Sequence, residues 1–310
     1  MEIIKIKSYE DIKPFKENFN LILGNFDGVH IGHTNLITFA RNNSKNKLGV
    51  LTFSKSLKRD GDYLTSLDDK IEFFEDLGVD FVILIEYSES IKMTTYEEFI
   101  DLYLRKLNAN KIFCGPDFKF GYKGLGDIDA LKNVFPNLCV INFVLDHNGD
   151  KIASTTIRKQ IQDGDIINAN RHLGHKYKIK GQVIKGKGIG KTLGFPTCNI
   201  KLDFNYIIPK NGVYITYIKI DNKIHESITN VGVSPTIKND NIITIETYIF
   251  DFCSDIYNKK VSLFFIDRLR DEIKFDSKRK LINQLEDDLK KSYKYFENLK
   301  IYWFIFTKYL

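Results

Sequence analysis

Short β-like runs recur through the first half of the chain. The N-terminus alternates polar and apolar residues like a strand with one buried face, and the later runs are mostly continuous, as in strands covered on both faces. The predicted strands lie at 1–7, 21–23, 49–53, 81–85, 111–114 and 139–141. Between them Ile71, Phe74 and Leu77 recur three apart after a capping residue, Ser66, and a second helix follows Thr95. This alternation predicts an α/β domain with a parallel sheet that binds ligands beyond the carboxyl ends of its strands.

The pattern changes in the second half of the chain. Short β-rich runs are broken by turn residues, and Asp221-Asn222 is typical of a hairpin turn. Strands at such close intervals predict a small antiparallel β-barrel. A long helix capped by Ser277 should follow, with an apolar stripe at Leu281, Leu285, Leu289, Phe296 and Leu299. We therefore expect two domains, residues 1–176 and residues 177–310.

Composition limits the class of protein. Of the 310 residues, 43% are hydrophobic and 28% charged, as in a globular chain. The 46 Lys and Arg exceed the 40 Asp and Glu only slightly, which suits phosphate-bearing ligands but argues against a nucleic-acid partner. Four cysteines without a C-x-x-C pair favour a reducing compartment. The N-terminus is unlike a signal peptide, and the longest apolar run, 301–306, is far shorter than the roughly 20 residues that span a bilayer. We expect a soluble, cytoplasmic protein without a membrane partner.

One candidate site is the segment G-N-F-D-G-V-H-I-G-H at residues 24–33, between a predicted strand and a predicted helix. Its glycines allow a tight turn, and the start of the following helix attracts phosphate. His30 and His33 are three apart, so they share one face and can donate hydrogen bonds to phosphate oxygens. Two histidines can also be metal ligands or capping groups, but no third ligand is obvious nearby. We interpret this segment as a phosphate-binding turn.

A second candidate site lies at residues 186–200. Its closely spaced glycines and lysines form a cationic loop that can wrap phosphates, although such a loop alone is more often an exposed hairpin tip. Thr197 and Asn199 are two apart on a predicted strand, so they point to the same face. Both carry oxygen atoms, which Mg²⁺ prefers as ligands.

These motifs together resemble a known family. The G-x-F-D-G-x-H-x-G-H pattern looks like the ATP-binding segment of the H-x-G-H nucleotidylyltransferases, and more closely like the adenylyltransferase half of the bacterial bifunctional riboflavin kinase/FAD synthetases. Residues 115–121 resemble the G-x-D-F-x-F-G loop of that family, and residues 153–158 resemble its I-S-S-T-x-I-R segment. The riboflavin kinase motifs follow in order at 190–200 (G-x-x-L-G-F-P-T-x-N-I), 230–236, 245–252 and 270–275.

The resemblance implies a Rossmann-like nucleotidylyltransferase domain with a parallel sheet over 1–176. It also implies a riboflavin kinase domain over 177–310, a small antiparallel β-barrel with a long C-terminal helix. The implied activities are ATP-dependent phosphorylation of riboflavin to FMN and adenylyl transfer from ATP to FMN, which gives FAD and pyrophosphate. Mg²⁺ is the implied cofactor, and riboflavin, FMN and ATP are the implied small-molecule partners.

Site residues follow from the matched motifs. The adenylyltransferase would bind ATP through Gly24, Asn25, Asp27, Gly28, His30, His33, Asp117, Ser154, Thr155 and Arg158, with His30 and His33 catalytic. The kinase would bind nucleotide through Gly186, Lys187, Gly188, Gly190, Lys191, Thr197 and Asn199. Thr197 and Asn199 would also hold the metal, Glu246 would be the catalytic base, and Asn230 and Arg270 would contact the flavin.

The chain departs from the family pattern at several positions. Residues 53–57 read F-S-K-S-L where the family has an acidic residue and P-H-P, and the other differences are Ala153, Lys191, Tyr248 and His175-Lys176. Lys191 keeps the charge of an arginine but loses its planar fork. Two alternatives therefore stay open: a riboflavin kinase with a decayed N-terminal domain, or a flavin-responsive regulator that binds RNA or DNA. The aromatic tail at 301–306 would pack on the long helix or mediate weak self-association.

Overall fold

The computed structural model describes residues 1–15, 17–54, 62–186, 189–235 and 241–303. Within these residues the chain divides into two compact units, Met1–Ser154 and Thr155–Leu310. Some features predicted from the sequence lie outside the described residues: Lys187, Gly188, the side chain of Lys191, most of the 53–57 departure and the side chains of the aromatic tail.

The first unit contains one six-stranded parallel sheet. Its strands are β1 (Glu2–Ile6), β2 (Phe19–Leu23), β3 (Lys47–Phe53), β4 (Phe81–Ile85), β5 (Lys111–Cys114) and β6 (Leu138–Val140). The order across the sheet is β1-β4-β3-β2-β5-β6, and every pair is parallel. This confirms the Rossmann-like α/β class and each of the strands that the apolar runs predict.

Helices cover both faces of this sheet. They are α1 (Ile31–Asn42), α2 (Leu67–Asp76), α3 (Glu89–Met93), α4 (Tyr96–Glu98), α5 (Arg105–Leu107) and α6 (Ile128–Lys132). In β2, Leu21 and Leu23 belong to the core on one face, and Ile22 belongs to the core on the other. Ile37 of α1 and Phe74 of α2 complete this second core. Because successive strand residues point to opposite faces, only a continuous apolar run can supply both cores.

The helix predicted after Thr95 is present but is not α-helical throughout. Thr95 caps α4, and a π-helical turn, Phe99–Leu104, joins α4 to α5. The Arg105 N–H accordingly donates to the carbonyl of Ile100, five residues earlier. This turn buries Phe99, Ile100, Tyr103 and Leu104 together.

The second unit is built around a closed barrel. Its strands are β7 (Tyr177–Ile184), β8 (Thr197–Leu202), β9 (Gly212–Ile220), β10 (Lys223–Pro235), β11 (Asn241–Ile249) and β12 (Lys260–Arg270). They pair antiparallel in the order β10-β11-β8-β7-β12-β9, and β9 and β10 close the ring. Asp221 and Asn222 both adopt positive φ, 47° and 65°, in the turn between β9 and β10, which confirms the predicted hairpin.

Four helices accompany the barrel: α7 (Ser154–Asp163), α8 (Ile166–Leu173), α9 (Ile189–Thr192) and α10 (Lys278–Trp303). Phe296 of α10 is buried against the barrel, and Leu289 and Leu299 pack beside it, as the predicted stripe requires. The Asn170 side chain of α8 donates to the Phe265 carbonyl at 2.9 Å and accepts from the Tyr177 N–H at 2.7 Å. Helix α8 therefore packs with the barrel although it precedes residue 176. The assignment of one activity to 1–176 and the other to 177–310 stays a prediction.

None of the helices in the described ranges has both the length and the apolar character that crossing a membrane requires.

Candidate active sites

The loop after β2 lies where the strand order of the first unit changes direction. β2 pairs with β3 on one side and with β5 on the other. In an open parallel sheet, the crevice beyond the carboxyl ends of such strands is where ligands bind. Residues 24–30 follow β2 and residues 115–121 follow β5, so two of the predicted motifs begin at neighbouring strand ends.

The 24–30 loop adopts a conformation that needs its glycines. Gly28 has a φ of 87°, and Phe26 and Val29 also have positive φ, 54° and 37°, although neither is a glycine. A Cβ on Gly24 would lie only 2.6 Å from the Phe26 ring. Residues held in such conformations cost about 1–3 kcal/mol each and cluster at functional sites. The surrounding structure must therefore hold this loop in place.

His30 and His33 meet at the start of α1. His30 is the N-cap residue, and its ring stacks on the His33 ring with centroids 3.7 Å apart and planes inclined by 22°. A Cβ on Gly32 would approach the His30 ring to 3.1 Å, which explains the small residue between the histidines. The prediction that the two histidines share one face is confirmed. Beside them the N–H groups of the first helical turn are the groups that a helix offers to an anion.

The electrostatic surroundings of His33 favour an anionic ligand. Burial lowers the pKa of His33 well below its ordinary value, and the positive charges of His30, Lys70 and Lys151 lower it further. Among the described residues, no group hydrogen-bonds to His33 Nδ1. A bound phosphate would oppose both effects, since it adds negative charge and accepts hydrogen bonds. His33 is therefore buried among basic groups that a phosphate would complement.

The other predicted residues of this site take different positions. Asp117 lies in the loop after β5, and its carboxylate forms an ion pair with Lys151 Nζ at 2.5 Å. Ser154 Oγ donates to the Asp27 carbonyl at 2.8 Å and so braces the loop. Thr155 and Arg158 follow on α7 and belong to the second unit, where Thr155 is exposed and Arg158 buried. Their roles in nucleotide binding stay predictions.

Sequence reasoning missed Lys70 of α2, which is only 5% exposed and donates to the Asn25 carbonyl at 3.2 Å. The predicted apolar face of α2 included Ile71, but Lys70 and Asp69 are buried with Phe74 instead. Lys70 lies four residues before Phe74, so helical spacing alone placed a lysine on the buried face. A lysine on the apolar face of a predicted helix is the sequence signal that could have identified Lys70.

The second site spans three neighbouring strands of the barrel. Asn199 of β8 pairs in register with Glu246 of β11, which pairs in turn with Asn230 of β10. Register partners point to the same face of a sheet, so the three side chains lie side by side. Thr197 is on the same face of β8, two residues before Asn199. The structure thus brings together four residues that the sequence assigned to the kinase.

The glycines before β8 lie against this row. A Cβ on Gly186 would overlap the side-chain amide of Asn199, and a Cβ on Gly190 would overlap the Phe195 carbonyl and approach Thr197 Oγ1 to 3.1 Å. Only glycines allow the chain to pass so close to the polar face of β8. Gly186 and Gly190 therefore lie directly against the two predicted metal ligands, Asn199 and Thr197.

Arg270, predicted to contact the flavin, forms a buried ion pair. Its Nη2 lies 2.6 Å from Asp288 Oδ2 on α10, and its Nε lies 2.9 Å from Asp288 Oδ1. Gln284 donates to the same carboxylate at 2.8 Å. Gln284 also lines a shallow, open cavity of about 550 Å³, in which Ile273 and Phe275 lie among charged and polar residues. Arg270 therefore fixes the long helix to the barrel next to this cavity.

A row of buried hydroxyls lies on β9, β10 and β11, and on the two strands that it shares with the kinase row it occupies the opposite face. Thr216 Oγ1 is 2.8 Å from both Ser227 Oγ and Thr229 Oγ1, and Thr229 is 2.9 Å from Thr247 Oγ1. We call these four residues the hydroxyl row. Since Thr247 follows Glu246 directly, the row lies behind the strand that carries the predicted base.

Comparisons with known proteins cover both units. The FAD synthetase family model matches residues 12–156, and the riboflavin kinase family model matches residues 173–296. The bifunctional riboflavin kinase/FMN adenylyltransferase of Listeria monocytogenes is 34% identical, over 90% of this chain and 93% of the relative. That of Bacillus subtilis is 34% identical over 93% and 96%. A crystal structure described as a macrolide-efflux protein from Streptococcus pneumoniae is 30% identical, covers 94% of this chain and 99% of that chain, and superposes with a TM-score of 0.86.

Proposed function

The chain belongs to the family of bifunctional riboflavin kinase/FMN adenylyltransferases, and from this premise we propose which residues carry its two reactions. It phosphorylates riboflavin to FMN, then transfers an adenylyl group from a second ATP to FMN, which gives FAD and pyrophosphate. Because family models match both halves, a kinase with a decayed N-terminal domain is not favoured. We assign adenylyl transfer to residues 1–176 and the kinase to residues 177–310.

For adenylyl transfer, the stacked pair of His30 and His33 at the start of α1 carries the assignment. The nucleophile is a phosphate oxygen of FMN, which attacks the α-phosphorus of ATP while the bond to the leaving pyrophosphate breaks. FMN phosphate is already anionic, so no strong base is needed. The work left to the protein is alignment and charge neutralisation. His30, His33 and the first turn of α1 would do this, while Ser154 braces the loop through the Asp27 carbonyl.

We propose that Asp117 acts after substrate arrives. Its carboxylate is held by Lys151 in the described structure, and the Lys151 ammonium also lies over the Phe143 ring, 3.8 Å from its centroid. An exchange of partners, in which Lys151 turns to phosphate, would release Asp117 to position substrate. The presence of both charges at the same sheet edge supports this role.

For the kinase, the in-register row of Asn199, Glu246 and Asn230 carries the assignment. An alcohol is a poor nucleophile until it loses its proton. Glu246 would take the proton from the riboflavin 5′-hydroxyl as that oxygen attacks the γ-phosphorus, and ADP would leave. A base in this position contributes about 10²–10⁴-fold in rate. Gly186 and Gly190, which lie against this row, would let the phosphates approach it closely.

Mg²⁺ fits the donors that this row presents. Thr197 and Asn199 place two neutral oxygen donors on one face of β8, next to the Glu246 carboxylate. A hard cation that keeps phosphate and water ligands is commonly held by few protein oxygens. When bound, the ion would offset the charge of the ATP phosphates. Thr197 and Asn199 would orient it beneath the loop.

The flavin ring would lie in the cavity beside α10. Ile273 and Phe275 supply apolar surface, and Arg270 pairs in register with Val213, which pairs in turn with Asn230 of the kinase row. With this assignment we propose a cytoplasmic location, which is supported by the four cysteines, all of them free thiols.

The experiment is an incubation with riboflavin, ATP and Mg²⁺, with FMN and FAD separated by chromatography. His33→Ala should reduce FAD formation and leave FMN formation near normal, while Glu246→Gln should block FMN formation and spare conversion of supplied FMN. The exposed residues His147 and Glu297 provide matched controls, His147→Ala and Glu297→Gln, which should change neither reaction. Equal loss of both activities in either site variant would contradict two separate sites.

A further inference from the structure

Residues 64–70 hold the phosphate-binding loop in place, although no motif marks them. The N–H groups of Leu64 and Thr65 both donate to the Asp27 carboxylate, at 3.0 and 3.3 Å. In return the Gly28 N–H donates to Thr65 Oγ1 at 3.0 Å. These bonds connect the start of α2 to the part of the loop with left-handed backbone conformations. Residues outside the 24–30 segment therefore hold the loop in place.

Lys70 adds a positively charged donor to these contacts. Its Nζ donates to the Asn25 carbonyl at 3.2 Å, and Thr52 Oγ1 donates to the same oxygen at 3.3 Å. The lysine is buried and lies in the first turn of α2, where the helix dipole disfavours a positive charge. Both conditions make this position costly for a lysine. A cost of this kind is typical of residues retained for function.

We propose that Lys70 is a positioning residue for adenylyl transfer: it fixes the 24–30 loop through the Asn25 carbonyl and places a buried positive charge behind the ATP phosphates. This inference rests on the adenylyltransferase site proposed above. Lys70 does not reach substrate itself, because its side chain is covered by the loop that it holds.

The charges around Lys70 support a role that depends on its proton. Asp27 of the loop faces it, His33 of α1 experiences its field together with that of His30, and Asp69 beside it on α2 accepts a hydrogen bond from Ser66 Oγ at 2.7 Å. Burial lowers the pKa of Lys70 to about 8, although Asp27 acts to raise it. Lys70 is therefore charged below about pH 8 and becomes neutral above it, so its effect on the phosphates should fade as the pH rises.

Stability changes in the opposite direction from activity. A lysine whose pKa is lower in the folded protein than in the unfolded chain destabilises the fold wherever both states are protonated, here below about pH 8. That penalty disappears as the pH rises towards the ordinary lysine pKa. Replacing Lys70 with an apolar residue of similar length removes the penalty. If Lys70 served only to stabilise the fold, replacing it would instead give a less stable protein.

The test uses the full-length enzyme with supplied FMN and Mg-ATP, and compares Lys70→Met and Lys70→Arg with an exposed control on α6, Lys132→Met. We expect Lys70→Met to lower kcat/KM for ATP in FAD formation by up to about 10²-fold. It should also unfold at a temperature no lower than the unchanged protein. Riboflavin phosphorylation and the control should not change.

A pH profile separates positioning from a structural role. The profile is measured between about pH 6 and pH 10. For the unchanged enzyme, kcat/KM should fall above about pH 8. For Lys70→Arg it should stay constant across the range, and for Lys70→Met it should be low throughout. Unchanged kcat/KM in Lys70→Met, an equal loss in Lys70→Arg, or a matching fall in riboflavin phosphorylation would overturn the inference. His33→Ala is measured alongside: if it too leaves FAD formation intact, the proposed site fails, whereas loss in His33→Ala alone rejects only the role of Lys70.

Discussion

The ion pair between Arg270 and Asp288 offers a quantitative test of how the second unit is held together. Asp288 is 2% exposed, and its carboxylate makes three contacts of 2.6–3.0 Å with the guanidinium. In Asp288→Ala the guanidinium loses its partner, and Gln284 loses an acceptor. Removing one member of a buried pair costs about 3–5 kcal/mol. Arg270 keeps a bond to the Asp271 carbonyl and 18% side-chain exposure, so we expect the lower end, about 3 kcal/mol.

The neighbouring residue supplies a matched control. Asp287 lies one position earlier on α10 and pairs with Lys291 at 2.7 Å, but both side chains are about half exposed. A surface pair of this kind, four residues apart on a helix, contributes about 0.3–0.5 kcal/mol. Asp287→Ala should therefore be almost as stable as the unchanged protein.

The assay is hydrogen–deuterium exchange, because a protein of two units has no single free energy of unfolding. Slowly exchanging amides of β12 and α10 report opening of the second unit, while those of β2 and β3 report the first. Asp288→Ala should lower the opening free energy of the second unit only. If Asp287→Ala and Asp288→Ala lowered the opening free energy of the second unit by equal, small amounts, the reasoning would be refuted.

Three further predictions concern other parts of the molecule. Gly186→Ala places a Cβ on the Asn199 amide and should reduce riboflavin phosphorylation at least about tenfold while FAD formation from FMN is unchanged; equal rates would show that the loop can move aside. Thr229→Val interrupts the hydroxyl row and should cost about 1–3 kcal/mol of opening free energy, measured by hydrogen–deuterium exchange of β10 amides, and no loss would mean that water replaces the hydroxyl. Burial raises the pKa of Cys114 to about 12, so near pH 8 about one thiol in 10⁴ is ionised and iodoacetamide should label exposed Cys253 but not Cys114 until the protein unfolds; labelling of both in the folded state would contradict this.

Most of the fold could be predicted from the sequence because burial leaves a clear pattern there. The run Phe81–Ile85 is apolar at every position, and β4 is buried at every position. Asp221 and Asn222 indicated a turn, and both adopt the backbone conformation that their side chains tolerate. Local chemistry decides such features, so no knowledge of distant residues was needed.

The site was predictable only in part, because much of it depends on residues far apart in the chain. The H-x-x-H spacing placed His30 and His33 together. In contrast, the contact of Lys70 with Asn25 joins residues 45 positions apart, and that of Arg270 with Asp288 joins strand to helix. Neither pairing leaves a periodic signal. The roles of the paired residues depend on partners that only the folded chain provides.

The central claim is that one chain carries two separate nucleotide sites, one in each unit. Calorimetric titration of the full-length protein with a non-hydrolysable ATP analogue and Mg²⁺ tests this most directly. We predict two molar equivalents of bound nucleotide, with His33→Ala weakening one binding event and leaving the other unchanged. A single event, or one variant that weakens both, would contradict the account.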